Sequence, residues 1–208
     1  MTEYLEEFKQ NKLIFIHIPK CAGTSILNNF NIPQTGHLSL YHYIKLFGTL
    51  DEYFVFTFVR NPIDRFLSAF NYLSLGGRNK WDEEWKTKLN INKSNLKNII
   101  FFLNEARGKN IEIPVHFRNQ TSFLKKSKFQ KFNKKNLNFI GRFEHIDNDF
   151  KELCLLSGME YKRLQKINSK PKTNDLLNLN DIDRKEMKLL CNIYSKDFKN
   201  FNYPKLLA

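Results

Sequence analysis

The chain has 208 residues, 41% hydrophobic and 26% charged, enough to bury one core without a disulfide or metal staple and too apolar for wholesale disorder. Its 34 basic and 21 acidic residues give a net charge of +13, which fits a phosphorylated cofactor, an anionic glycan, nucleic acid or anionic lipid and says nothing of fold. Mean hydropathy is −0.51, no apolar run reaches the ~18–20 residues of a membrane span, and residues 1–10 lack the apolar segment of a secretory signal.

In chain order, Lys12–Ile18 (KLIFIHI) is a short apolar, β-branched run that reads as a buried strand ended by Pro19. A helix is expected from Thr24 to about Phe30 and a second, short one over Ser39–Phe47. Tyr53–Val59 (YFVFTFV) is another buried strand. Asn61-Pro62 then supplies an N-cap and a first-turn proline. Ile63, Phe66, Leu67, Phe70 and Leu73 recur at helical spacing as a core-facing stripe, and Gly76-Gly77 stops that helix.

Leu96–Leu103 reads as helical. Arg118–Lys135 holds seven basic residues and no acidic one, with Phe117, Phe123, Phe129 and Phe132 interleaved. Leu137–Phe143 is a third strand, followed by a helix from about Asp147 to Ser157. Ile182–Phe198 reads as one closing amphipathic helix with Met187, Leu190, Ile193 and Tyr194 on one side. Strands alternating with helices imply α/β architecture with a parallel sheet. The expectation is one domain over 1–208, with a variable, basic insertion around 74–136.

Two loops carry chemistry. In Pro19-Lys20-Cys21-Ala22-Gly23-Thr24-Ser25 a buried strand runs through small residues into a helix. Such a turn aims backbone N–H groups at one point, at the positive end of the helix dipole, and so suits phosphate. Gly23 permits close approach, Thr24 and Ser25 add hydroxyls, and Lys20 adds a full charge. The alternative is a capped strand-to-helix turn with Lys20 in solvent. No GxxxxGK[ST] pattern is present. In the second loop Arg60 ends the second strand, at the sheet edge where open α/β folds bind ligands. Its planar fork suits phosphate oxygens. Ser68 lies on a stripe of the following helix distinct from the core stripe; the competing reading is a surface helix with an Asp64–Arg65 charge pattern.

Taken together, IPKCAGTS (Ile18–Ser25) and FVRNPIDRFLSAF (Phe58–Phe70) resemble the two nucleotide signatures of sulfotransferases that use PAPS, 3′-phosphoadenosine 5′-phosphosulfate. The likeness is to the carbohydrate branch, whose Golgi members sulfate glycosaminoglycans. GHLSL (Gly36–Leu40), IGRFEHIDNDF (Ile140–Phe150) and IYSKDFKNFNY (Ile193–Tyr203) resemble further family segments in the same order. The matches span 13–203 and leave about 74–136 uncovered. The resemblance implies a P-loop-like three-layer fold, a short central parallel sheet flanked by helices. It implies that Lys20, Cys21, Ala22, Gly23, Thr24 and Ser25 bind the 5′-phosphosulfate, with Lys20 neutralising charge on the bridging oxygen as the S–O bond breaks. Arg60 and Ser68 would hold the 3′-phosphate. Cys21 stands where many members carry Thr. Asn168 and Ser169, in Gln165–Asn174, fall where a loop closes over the nucleotide.

Transfer to a hydroxyl needs a base, and histidine suits that near neutral pH. By resemblance to the 2-O-type members, whose base lies in a similar GHxS context, His37 is the choice. His42 is the main rival, His17 reads as a core histidine or an acceptor-side one, and Asp51 and Glu52 are further substitutes. Glu144 and His145 read as capping and packing residues. No metal is required, and no cluster has ligand spacing.

The acceptor is then a saccharide or another hydroxyl compound, neutral or anionic. The competing readings are a P-loop phosphotransferase needing magnesium, and a non-catalytic basic module binding nucleic acid, supported by the charge and the Phe-bearing basic stretch. With Cys21, Cys154 and Cys191 in neither disulfide-framework nor zinc spacing and no N-terminal span, a cytoplasmic, bacterial or viral member is expected, or a Golgi-lumen one if the chain is trimmed.

Overall fold

The two apolar runs form adjacent parallel strands, β1 (Leu13–Ile16) and β2 (Phe54–Val59). In the computed structural model, which describes residues 8–30, 32, 35–127, 129–165 and 176–205, a third strand β3 (Phe139–Arg142) joins them. The order is β1-β2-β3, all parallel. Leu13 pairs with Phe54 and Ile16 with Thr57; Phe56 pairs with Phe139 and Val59 with Arg142. β2 is central, and Phe56, Thr57 and Phe58 are fully buried, as a strand covered on both faces must be. A Cβ at Gly141 of β3 would lie 2.4 Å from the Phe58 ring, so only glycine fits beside that ring.

The described chain divides into two compact units, Met1–Arg60 with Gln120–Lys170, and Asn61–Asn119 with Pro171–Ala208. The first holds the sheet, α1 (Gly23–Phe30), α2 (Leu40–Phe47), α6 (Gln120–Phe123) and α7 (Ile146–Ser157). Phe30 of α1 packs on Phe56 at 6.0 Å and on Phe150 of α7 at 5.0 Å, which sets both helices against the sheet. The α/β architecture, a short parallel sheet flanked by helices, is as the sequence implies.

The second unit is helical, with α3 (Pro62–Ser74), α4 (Lys80–Leu89), α5 (Leu96–Ala106), α8 (Arg184–Ile193) and α9 (Ser195–Asn200). Asn61 Oδ1 caps α3 by accepting from Ile63 and Asp64, with Pro62 in the first turn, and the five stripe residues are all buried. Arg65 departs from the surface reading. It is fully buried, donates to the carbonyls of His116 and Arg118, and lies 5.6 Å over the Tyr194 ring. The expected single closing helix is two, α8 and α9, broken at Tyr194. The Tyr194 ring is fully buried and its hydroxyl donates to Phe117 O at 3.0 Å, so a tertiary anchor overrides the helical period.

Helix α4 was not foreseen. It rests on a buried cluster around Asp82, which accepts from Tyr72 Oη (2.6 Å), the Arg78 amide (3.1 Å) and Asn79 Nδ2 (3.0 Å), with His116 Nδ1 at 3.6 Å. No described helix is long and apolar enough to cross a membrane.

Candidate functional site

The loop after β1 has a backbone that few sequences adopt without glycine. Lys20 (φ 68°) and Ala22 (φ 62°) both sit in the left-handed region, a strain of roughly 1–3 kcal/mol each that survives only where the surroundings enforce it. Left-handed residues in a turn can bring consecutive N–H groups to one side, as in an anion nest. Ala22 O accepts from Ser25 and Ile26 and so stands at the N-cap of α1. Alanine has no side chain to cap with. The backbone N–H groups of Ala22, Gly23 and Thr24 donate to no described residue, and neither do the hydroxyls of Thr24 and Ser25. Five donors thus lie at the N-terminal end of α1, the positive end of its dipole. That donor set fits a phosphate or sulfate oxygen cluster.

His17, one residue past β1, seats this loop. It is only 9% exposed, and its ring stacks on Phe15 at 5.5 Å and 16°. A Cβ at Gly23 would fall 1.9 Å from His17 Nε2, so glycine at the first position of α1 is dictated by this ring.

Arg60 follows β2 on the same edge. Its guanidinium lies 4.2 Å over the Phe143 ring, and Nη1 donates to Lys20 O at 3.4 Å. The two expected loops therefore meet. The residue that joins them, Gln120, belongs to no motif. It is fully buried, its Oε1 accepts from the Arg60 amide at 2.9 Å and from Cys21 Sγ at 3.5 Å, and its Nε2 donates to Arg60 O at 2.9 Å. Gln120 lies in the stretch read only as basic and Phe-bearing, where a lone amide gives no signal.

Histidine 37 is half-buried, its ring 4.5 Å from that of His17. Its Nδ1 lies 3.0 Å from His17 O. A carbonyl only accepts, so Nδ1 carries the proton and Nε2 is the basic nitrogen of the neutral ring. His42 is exposed and engaged as a cap: its Nδ1 accepts from the Ser39 amide (3.2 Å) and hydroxyl (2.7 Å). Asp51 and Glu52 precede β2 and so stand at the opposite edge of the parallel sheet from Lys20 and Arg60. Thr49 donates to Asp51, and the Lys12 ammonium at 2.7 Å holds the Glu52 carboxyl below its ordinary range.

Ser68 is half-buried on α3, with no partner for its hydroxyl among the described residues. Asn168 and Ser169 lie outside the described residues. Of the interleaved phenylalanines, Phe117 and Phe123 are core residues and Phe129 is 98% exposed. No group of three or more metal-ligating side chains occurs among the described residues. A family model described as the sulfotransferase family matches residues 8–204. No curated protein and no solved structure matches the chain.

Proposed function

Because the chain belongs to the sulfotransferase family, we propose that it moves the sulfuryl group of PAPS to a hydroxyl of a saccharide, with His37 as base and residues 1–208 read as one domain. Membership carries sulfuryl transfer to a hydroxyl-bearing acceptor. The observation that supports the donor is the strained loop, with three amides and two hydroxyls that have no partner among the described residues, in a loop whose Lys20 O accepts from Arg60.

In this reading Ala22, Gly23, Thr24 and Ser25 hold the 5′-phosphosulfate, with Lys20 and Cys21 in the same loop. PAPS supplies an activated sulfuryl group whose leaving group is a phosphate. Lys20 neutralises the charge that collects on the bridging oxygen. By resemblance Arg60 and Ser68 are each assigned to the 3′-phosphate, and the Arg60 fork lies over the Phe143 ring. His37 Nε2 takes the acceptor's proton as the new O–S bond forms and the bridging S–O bond breaks. The His17 carbonyl fixes His37 in the tautomer that can do so. The residues in place require no metal for these roles. Asn168 and Ser169 are assigned to the nucleotide by resemblance alone.

Calorimetric titration with adenosine 3′,5′-bisphosphate, 5′-AMP and Mg-ATP tests the reading. Strong preference for the bisphosphate is expected. No binding, or preference for Mg-ATP, refutes it and favours a phosphotransferase.

A further inference from the structure

We infer that Gln120 is the positioning residue that sets the two anion-binding loops in register. The inference rests on the reading of those loops as nucleotide-binding. Its basis is that one side-chain amide is shared between them. Oε1 accepts from the Arg60 amide (2.9 Å) and from Cys21 Sγ (3.5 Å), and Nε2 donates to Arg60 O (2.9 Å).

The geometry is specific to glutamine. The amide must donate and accept at once to satisfy both backbone groups of Arg60, as a strand neighbour would. Leucine matches the volume and offers neither function. Glutamate keeps the acceptor and loses the donor. Asparagine keeps both and is one methylene short. Arg60 is the first residue past β2 and has left the ladder, so Gln120 stands in for a strand that is not there. The same oxygen holds Cys21, which lies between the two left-handed residues of the nest. Gln120 touches neither expected phosphate position through a charged group; it acts through Arg60 and Cys21. A threonine at position 21 would present a hydroxyl donor to the same oxygen. That gives a reason in this chain for which side chains position 21 accepts.

The test uses the full chain with Gln120→Leu and Gln120→Asn, folding checked by circular dichroism. Titration with adenosine 3′,5′-bisphosphate is expected to weaken about tenfold. Binding of 5′-AMP, which engages one loop, is expected to weaken less, so the ratio of the two affinities falls. A purely structural role would lower the melting temperature and leave that ratio unchanged, and this result overturns the inference. Cys21→Thr is expected to retain affinity and Cys21→Val to lose it. Hydrogen exchange separates this inference from the functional reading. The Arg60 amide is expected to exchange faster in Gln120→Leu whether or not nucleotide binds, and unchanged exchange overturns the clamp. Failure of the unaltered protein to bind bisphosphate, with the Arg60 exchange effect intact, instead refutes the nucleotide reading alone.

Discussion

Replacing Gly23 by alanine tests the seat of the nest directly. A Cβ there would lie 1.9 Å from His17 Nε2 and 2.0 Å from its Cδ2, roughly half the ~3.5–4.0 Å at which such atoms pack. The ring cannot yield easily: it is stacked on Phe15 at 5.5 Å and meets His37 edge-on at 4.5 Å. Overpacking of this kind destabilises by about 1–3 kcal/mol. It outweighs the gain of up to ~1 kcal/mol from putting alanine for glycine in a helix, a gain reduced further in the first turn. At roughly 2–4 °C per kcal/mol for a chain of this size, Gly23→Ala should lower the melting temperature by several degrees. Turnover should fall more than stability alone explains, since the displaced His17 moves against His37. Adding His17→Ala should recover much of the lost stability, with a coupling of about 1 kcal/mol or more in a double-mutant cycle. A Gly23→Ala protein that is more stable and fully active, with no coupling to position 17, refutes the packing argument.

Lys20→Ala should lower kcat by about 10²–10³-fold in steady-state assays while bisphosphate affinity in calorimetry changes only a few-fold. Arg60→Ala should weaken that affinity about 10–100-fold, and lysine at position 60 should not restore it, because the stack on Phe143 needs a planar cation. His37→Gln should abolish turnover and leave bisphosphate binding intact, measured on the same samples. Asp82→Ala strands three donors in a buried cluster and should cost about 3 kcal/mol or more in urea unfolding. Burial raises the phenols of Tyr43, Tyr72 and Tyr194 above their ordinary value, with the bond to Asp82 adding to the rise at Tyr72. The folded state therefore holds protons that the unfolded chain releases near pH ~10. Stability is complete below that pH and falls above it, Tyr194 adding up to about 1.4 kcal/mol per pH unit, which Tyr194→Phe should remove from unfolding curves taken between pH 9 and 11.

The strands were legible because a parallel sheet buried on both faces needs continuous apolar runs, and KLIFIHI and YFVFTFV are such runs. Their true ends fall one or two residues inside the expected ones, at Leu13, Ile16 and Phe54. The cap of α3 was legible because Asn-Pro acts locally. Arg65 was not: its charge reads as surface, while its partners are carbonyls 51 and 53 residues away. The break between α8 and α9 was hidden for the same reason, since Tyr194 continues the apolar stripe in sequence and is held elsewhere by Phe117. At the site, the loop of residues 20–25 announces itself by small residues between a strand and a helix. Gln120 does not, because its role depends only on what lies beside it once the chain has folded. The contrast between His37 and His42 also needed coordinates, one ring oriented by a strand-end carbonyl and the other spent on a helix cap.

Each strand of the sheet ends in one part of the proposed site, at the carboxyl edge where open α/β sheets bind ligands. Past β1, His17 gives its ring to seat Gly23 and its carbonyl to orient His37. Past β2, Arg60 reaches back to Lys20 O. Past β3, Phe143 supplies the face on which the Arg60 guanidinium lies. The parallel register forces these three ends together, because Ile16 pairs with Thr57 and Val59 with Arg142. A slip of β3 by one residue would carry Phe143 away from Arg60 and set a side chain in place of Gly141 against the Phe58 ring. The glycine that permits the sheet to close at that point is therefore also what holds the arginine flat, and packing in the core and geometry at the site share one cause.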